Sequence, residues 1–128
     1  MTSTILFLCP HHAAKSVIAA AYFNRLVQQK GLSWIAVSAG TEPDETVSPV
    51  VVEMLKNENI DVSQHQPRRV TTDELQSAAR IVSMGCTAEE LNVSAEHLEQ
   101  WSIPAVSQNP QAAREAILSH IEALAAEL

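Results

Sequence analysis

Ile5-Leu6-Phe7-Leu8 is an unbroken apolar run that ends abruptly at Cys9-Pro10. Four large apolar side chains in succession leave neither face of a strand fit for water, so this segment, led by Thr4, is expected in the interior of a parallel sheet. A parallel sheet needs crossover connections, usually helical. The rest of the chain supplies them. Residues 16–29 read as a helix, with Ala19-Ala20-Ala21 favouring it and Gly31 ending it. Its 17–23 stretch is apolar nearly all round and is expected to be buried on more than one side. Residues 34–38 read as a second strand reaching Gly40, followed by a polar loop over 41–47. Ser48-Pro49 then gives an N-cap with proline at the first helical position, and Val51, Met54 and Leu55 form one stripe. After a loop over 61–69, Thr71-x-x-Glu74 and Thr87-x-x-Glu90 are capping boxes on either side of a third strand, 80–84. A fourth strand is expected over 98–103. Asn109-Pro110 opens a last helix with Ile117, Ile121, Leu124 and Leu128 along one face.

This alternation predicts an α/β fold in three layers: a four-stranded parallel sheet flanked by helices, with right-handed crossovers. At 128 residues the chain fits one domain, 1–128, long enough for a real core. Lys and Arg number 8 against 15 Asp and Glu, a net charge of −7, which argues against a nucleic-acid or anionic-membrane partner. No apolar stretch approaches the ~20 residues that span a bilayer, and the N-terminus lacks the basic region of a secretory signal. Two distant cysteines then read as thiols of a cytoplasmic protein.

In parallel sheets ligands gather beyond the carboxyl ends of the strands, and Cys9, Gly40 and Cys86 all fall on that edge. Cys9-Pro-His-His-Ala-Ala-Lys15-Ser16 joins the first strand directly to a helix N-terminus. Main-chain N–H groups there lack intrahelical partners, and the helix dipole adds about half a positive charge. Such a place suits a tetrahedral oxyanion and favours the thiolate form of a cysteine. The segment Pro10, His11, His12, Ala13, Ala14, Lys15 is the expected anion cradle. Ala13 and Ala14 let the backbone wrap closely, Lys15 adds a charge, and Ser16 either caps the helix or offers its hydroxyl to the cysteine sulfur.

The Cys-x5-Lys15-Ser16 loop resembles the Cys-x5-Arg-Ser loop of the low-molecular-weight protein tyrosine phosphatases and the thiol-dependent arsenate reductases. Three further segments carry the resemblance across most of the chain: Ser38-Ala-Gly40-Thr-Glu-Pro43, Ile60-Asp61-Val-Ser-Gln-His65-Gln-Pro67, and Met84-Gly85-Cys86. It implies a phosphate, arsenate or similar oxyanion as ligand, Cys9 as nucleophile, Ser16 as thiolate stabiliser and no cofactor. It also implies arsenate reduction or weak phosphatase activity, the former with Cys86 as second thiol and a thiol reductant as partner. Three positions depart from the family. Lys15 replaces the planar, bidentate arginine. His12 replaces a loop-bracing asparagine. Ala105, in Trp101-Ser-Ile-Pro104-Ala105-Val106, stands where the family has the aspartate that acts as general acid, a role worth roughly 10²–10⁴-fold. Glu99, Asp44 and Glu45 are the carboxylates near enough in sequence to the strand ends to replace it.

Each remaining feature has a plainer reading beside the functional one. Cys86 is equally a small buried residue closing a strand. His11-His12 makes a poor metal site, since zinc wants three or four convergent ligands. His65 is as readily a hydrogen-bonded loop residue as a functional one. His97 and His120 are expected at the surface, Arg68-Arg69 as a solvated patch, and Trp34 and Trp101 in the core. With both the arginine and the aspartate replaced, a catalytically impaired module that binds an oxyanion or a phosphoprotein is the rival to an enzyme.

Overall fold

The computed structural model describes residues 2–11 and 13–128. Its strands are β1 (Ser3–Leu8), β2 (Trp34–Ala39), β3 (Arg80–Ser83) and β4 (Leu98–Gln100). Its helices are α1 (Lys15–Lys30), α2 (Pro49–Lys56), α3 (Thr72–Ser77), α4 (Ala88–Leu91) and α5 (Pro110–Ala126), with a single 3₁₀ turn at Ala95–His97. The strands lie in the order β2-β1-β3-β4, every pairing parallel. The expected four-stranded parallel sheet flanked by helices is therefore the fold.

The apolar run occupies an interior strand, and its alternation builds two cores. Ile5 and Phe7 point to one face, where they meet Ile18 and Phe23 of α1 and Ile117 and Ile121 of α5. Leu6 and Leu8 point to the other, with Ile81, Leu91 and Leu98. All four are fully buried, each worth roughly 1.5–3 kcal/mol against exposure. Five consecutive residues of α1, 16–20, are buried, so the helix is enclosed on more than one side as expected. Gly31 ends it with φ 66°, a left-handed conformation that glycine adopts without steric cost.

Local signals mark most ends. Both capping boxes form, with Thr71 accepting from the Glu74 amide and Thr87 from the Glu90 amide. Asn109 caps α5 by accepting from the Ala112 amide, with Pro110 at its first position. Elsewhere the structure differs from expectation. Ser48 precedes Pro49 at the start of α2 but its side chain makes no capping bond. Helix α1 begins at Lys15 with Ala14 as N-cap, so Ser16 lies inside the first turn and is not a cap. Strand β4 stops at Gln100 instead of 103. Trp101 N–H still donates to Ser83 O at 2.9 Å, and the chain then leaves the sheet toward Pro104, which has no N–H to give and restricts Ile103 before it. Trp101 is buried, whereas Trp34, at the start of an edge strand, is only half-buried. His120 is not simply a surface residue: its ring stacks on Trp101 at 4.7 Å. No helix among the described residues is long and apolar enough to cross a membrane.

Candidate active site

Strand β1 delivers Cys9 to the carboxyl edge of the sheet, and α1 starts six residues later. The intervening loop is held from outside. The amide of Glu42 donates to Pro10 O at 2.7 Å, that of Asp44 to His11 O at 2.9 Å and that of Ser48 to Ala13 O at 2.8 Å. Ala14 O accepts from Ile18 N at 3.0 Å. These bonds turn the loop carbonyls away from its centre. The N–H groups of His11, Ala13, Ala14 and Lys15 have no main-chain acceptor among the described residues. Carbonyls tied outward and amides uncommitted are what an anion cradle requires.

Cys9 is 5% exposed and opens into a pocket of about 460 Å³. The pocket brings together Cys9, Pro10, His11, Ala13, Ala14 and Lys15, all expected in one site. His12 lies outside the described residues. Ser16 sits behind the sulfur, fully buried. The Cys9 thiol donates to Ser16 Oγ at 3.1 Å, and the Ser16 amide donates to the sulfur at 3.4 Å. Of the two roles open to Ser16, the sulfur contact is the one taken. Lys15 is half-buried and also lines an adjoining pocket of about 370 Å³ with Gln100, Trp101 and Ser102.

Gly85 presses the opposite wall against the loop. Its φ is 120°, and a Cβ there would meet Pro10 Cδ at 3.1 Å. Ala105 and Val106 line the pocket where the family resemblance puts its acid, and neither carries a proton donor. Among the carboxylates considered, Glu99 is turned away to Arg80 at 2.6 Å, and Glu45 does not line the pocket. Asp44 does, with Oδ1 3.3 Å from His11 Nδ1.

Cys86 is placed differently. It is 1% exposed and belongs to the core on the far face of the sheet, with Leu6, Leu8 and Leu91, while Cys9 belongs to the near one. Ser83 Oγ donates to Cys86 O and accepts from its amide, both at 2.8 Å, closing the turn after β3. Thr41 Oγ1 lies 3.9 Å from the Cys86 sulfur. Burial pushes the Cys86 thiol pKa up, and charge on Glu90 and Cys9 adds to this against the Thr41 bond. Both cysteines are free thiols.

The recognised stretch around His65 is a turn, with His65 N donating to Val62 O at 3.0 Å. The residue is exposed overall, yet desolvation of its ring, and then the Arg68 charge, hold its pKa below the ordinary value. Arg68 is no solvated patch: it grips Glu74 with both terminal nitrogens, Nη1 at 2.7 Å from Oε1. No three His, Cys, Asp or Glu side chains among the described residues converge as a metal site.

A family model for low molecular weight phosphotyrosine protein phosphatase matches residues 4–123. A putative arsenate reductase of Halobacterium salinarum is 32% identical over 104 residues, 80% of this chain and 73% of that protein. Among solved structures, YfkJ from Bacillus subtilis superposes with a TM-score of 0.87 at 22% identity, covering 99% of this chain and 94% of that one. A thioredoxin-dependent arsenate reductase of Corynebacterium glutamicum gives 0.82 at 26% identity, covering 98% of this chain and 61% of that one. Family match, relatives and loop geometry agree: the chain belongs to the low molecular weight phosphotyrosine protein phosphatase family, within the superfamily that includes the arsenate reductases.

Proposed function

We propose that this protein is a thiol-based enzyme acting on a phosphate-like oxyanion, with Cys9 as nucleophile toward the central atom. The observation that carries this reading is a loop whose His11, Ala13, Ala14 and Lys15 amides have no main-chain acceptor among the described residues, beside a sulfur that donates to Ser16 Oγ and accepts from Ser16 N–H. The N–H groups of His11, Ala13, Ala14 and Lys15 and the Lys15 charge hold the equatorial oxygens as negative charge gathers on them. Ser16 stabilises the sulfur as attacking thiolate and again as leaving group. Phosphomonoester cleavage is the first reading, because it needs nothing outside the Cys9 pocket except water.

Arsenate reduction is the second, favoured by the arsenate reductases among the relatives and by a free Cys86 in the turn that packs on the loop. It would require the Cys86 sulfur to leave the far core and attack Cys9 within disulfide reach, with Cα atoms under about 7 Å apart, and a thiol reductant to reset the pair.

The test sets aryl phosphate hydrolysis beside arsenate treatment, for wild type and Cys9→Ser, with phosphate titration by calorimetry. Aryl phosphate turnover lost in Cys9→Ser supports the first reading. Arsenite release together with a Cys9–Cys86 bridge supports the second. Phosphate binding without either reaction overturns the enzyme in favour of an anion-binding module. No binding and no modification of Cys9 overturns the site altogether.

A further inference from the structure

Replacement of the family's aspartate by Ala105 leaves the departing oxygen without a proton, and the pocket holds a different source. His11 follows the nucleophile by two residues and lines the same pocket. Its Nδ1 lies 3.1 Å from Glu42 O and 3.3 Å from Asp44 Oδ1. Both are acceptors, so this geometry suits an Nδ1–H donor and leaves Nε2 as the ring nitrogen available to a substrate. The arrangement is fixed by main chain as well as side chain, because Asp44 N–H donates to His11 O at 2.9 Å. Asp44 is also the one carboxylate among the described residues that line the pocket.

We infer that His11 is the proton donor and acceptor of this site, and that Asp44 is its positioning residue. The inference rests on the phosphomonoester reading above. In the first step the Cys9 thiolate attacks phosphorus, the S–P bond forms and the P–O bond breaks. The electron pair goes to the departing oxygen, which takes the proton from His11 Nε2. In the second step water attacks phosphorus and gives a proton to Nε2, while the S–P pair returns to Cys9. No redox partner is needed, and His11 ends as it began. Glu42 O holds the ring by Nδ1, and the Asp44 carboxylate 3.3 Å from the same nitrogen stabilises the imidazolium.

Among the described residues, few other charged groups share the pocket with this ring. Cys9 and Lys15 share the pocket, and Glu42 faces the ring through its carbonyl. The walls from Ser48, Val50, Met84, Gly85 and 105–107 bring no titratable side chain.

The experiment compares an aryl phosphate with an acidic leaving group, p-nitrophenyl phosphate, and one with a basic leaving group, phenyl phosphate. An acidic phenol departs without help, whereas a basic one needs the proton. His11→Gln is expected to lose about 100-fold in kcat/KM on phenyl phosphate and only a few-fold on p-nitrophenyl phosphate. Asp44→Asn is expected to show the same selectivity at about tenfold. With phenyl phosphate the wild type should show an alkaline limb in its pH–rate profile that His11→Gln lacks. Equal losses on both substrates, which a distorted loop would produce, overturn the inference and leave the phosphatase reading standing. An unchanged pH profile in His11→Gln does the same. Absence of Cys9-dependent turnover of p-nitrophenyl phosphate by the wild type overturns both.

Discussion

Ser16 meets the Cys9 sulfur with two groups, and substitution can remove only one of them. Ser16→Ala deletes the hydroxyl and leaves the amide at 3.4 Å. A hydrogen bond to a charged group is worth about 1.5–3 kcal/mol, so losing one of two should slow carboxymethylation of Cys9 about tenfold at neutral pH. Rates of iodoacetate labelling read it, and an unchanged rate would show that the hydroxyl contributes nothing to the thiolate. Lys15 invites the opposite experiment. Lysine is a point charge, while arginine has a planar fork that matches two oxygens of a tetrahedral anion. Lys15→Arg should tighten phosphate binding about tenfold by one added charge-assisted hydrogen bond, measured by calorimetry. That Cys9, Pro10, His11, Ala13, Ala14 and Lys15 share one place in the fold was legible in the sequence, because the loop lies between two strongly marked elements. For Ser16 the sequence left two roles open, capping the helix or meeting the sulfur, and the start of α1 at Lys15, two residues before a Ser16 cap would allow, leaves the sulfur contact.

At the scale of elements, α1 is tied to its neighbours by a polar clamp that nothing in the sequence announced. Tyr22 on α1 donates to Glu58 after α2, and Arg114 on α5 donates to both, reaching Glu58 Oε1 at 2.8 Å. Arg25 stands 4.8 Å over the Tyr22 ring. Burial first, and then Glu58, push the Tyr22 phenol up to about 12 from 10.0, while the Arg114 hydrogen bond chiefly draws the Glu58 carboxyl below its ordinary 4.5. The signs follow. Glu58, depressed in the folded state, stabilises fully above about 4.5 and loses its contribution as pH falls through the lower folded value. Tyr22, raised, contributes below 10.0 and is lost as pH climbs toward 12. Because the chain has one tyrosine, ultraviolet titration reads it directly, and tyrosinate should appear near 12. Glu58→Gln should bring the tyrosinate midpoint closer to 10.0 and cost about 1.5–3 kcal/mol at neutral pH by chemical denaturation. A tyrosinate midpoint that ignores Glu58→Gln would show that the clamp does not set it.

For the whole molecule, the sheet decides which thiol is reached. Its two faces separate Cys9, beside a pocket, from Cys86, sealed in the far core. Native protein treated with iodoacetamide should therefore be labelled at Cys9 and spared at Cys86 until denaturant is added, as peptide mass spectrometry would show. Equal native labelling would mean that the turn after β3 opens readily, which the arsenate reading needs. Strand and helix alternation, both capping boxes, the Asn109 cap and the place of Cys9 on the sheet edge were determined by the sequence itself. Each depends on side chains only a few positions apart, acting through local backbone geometry and burial. Tertiary structure alone decided the rest: the amides of 42, 44 and 48 that turn the loop carbonyls outward, Asp44 beside His11, and Glu99 drawn off to Arg80. Those partners are brought together by the strand order β2-β1-β3-β4 and by loops that pack across it, which no local pattern of residues encodes.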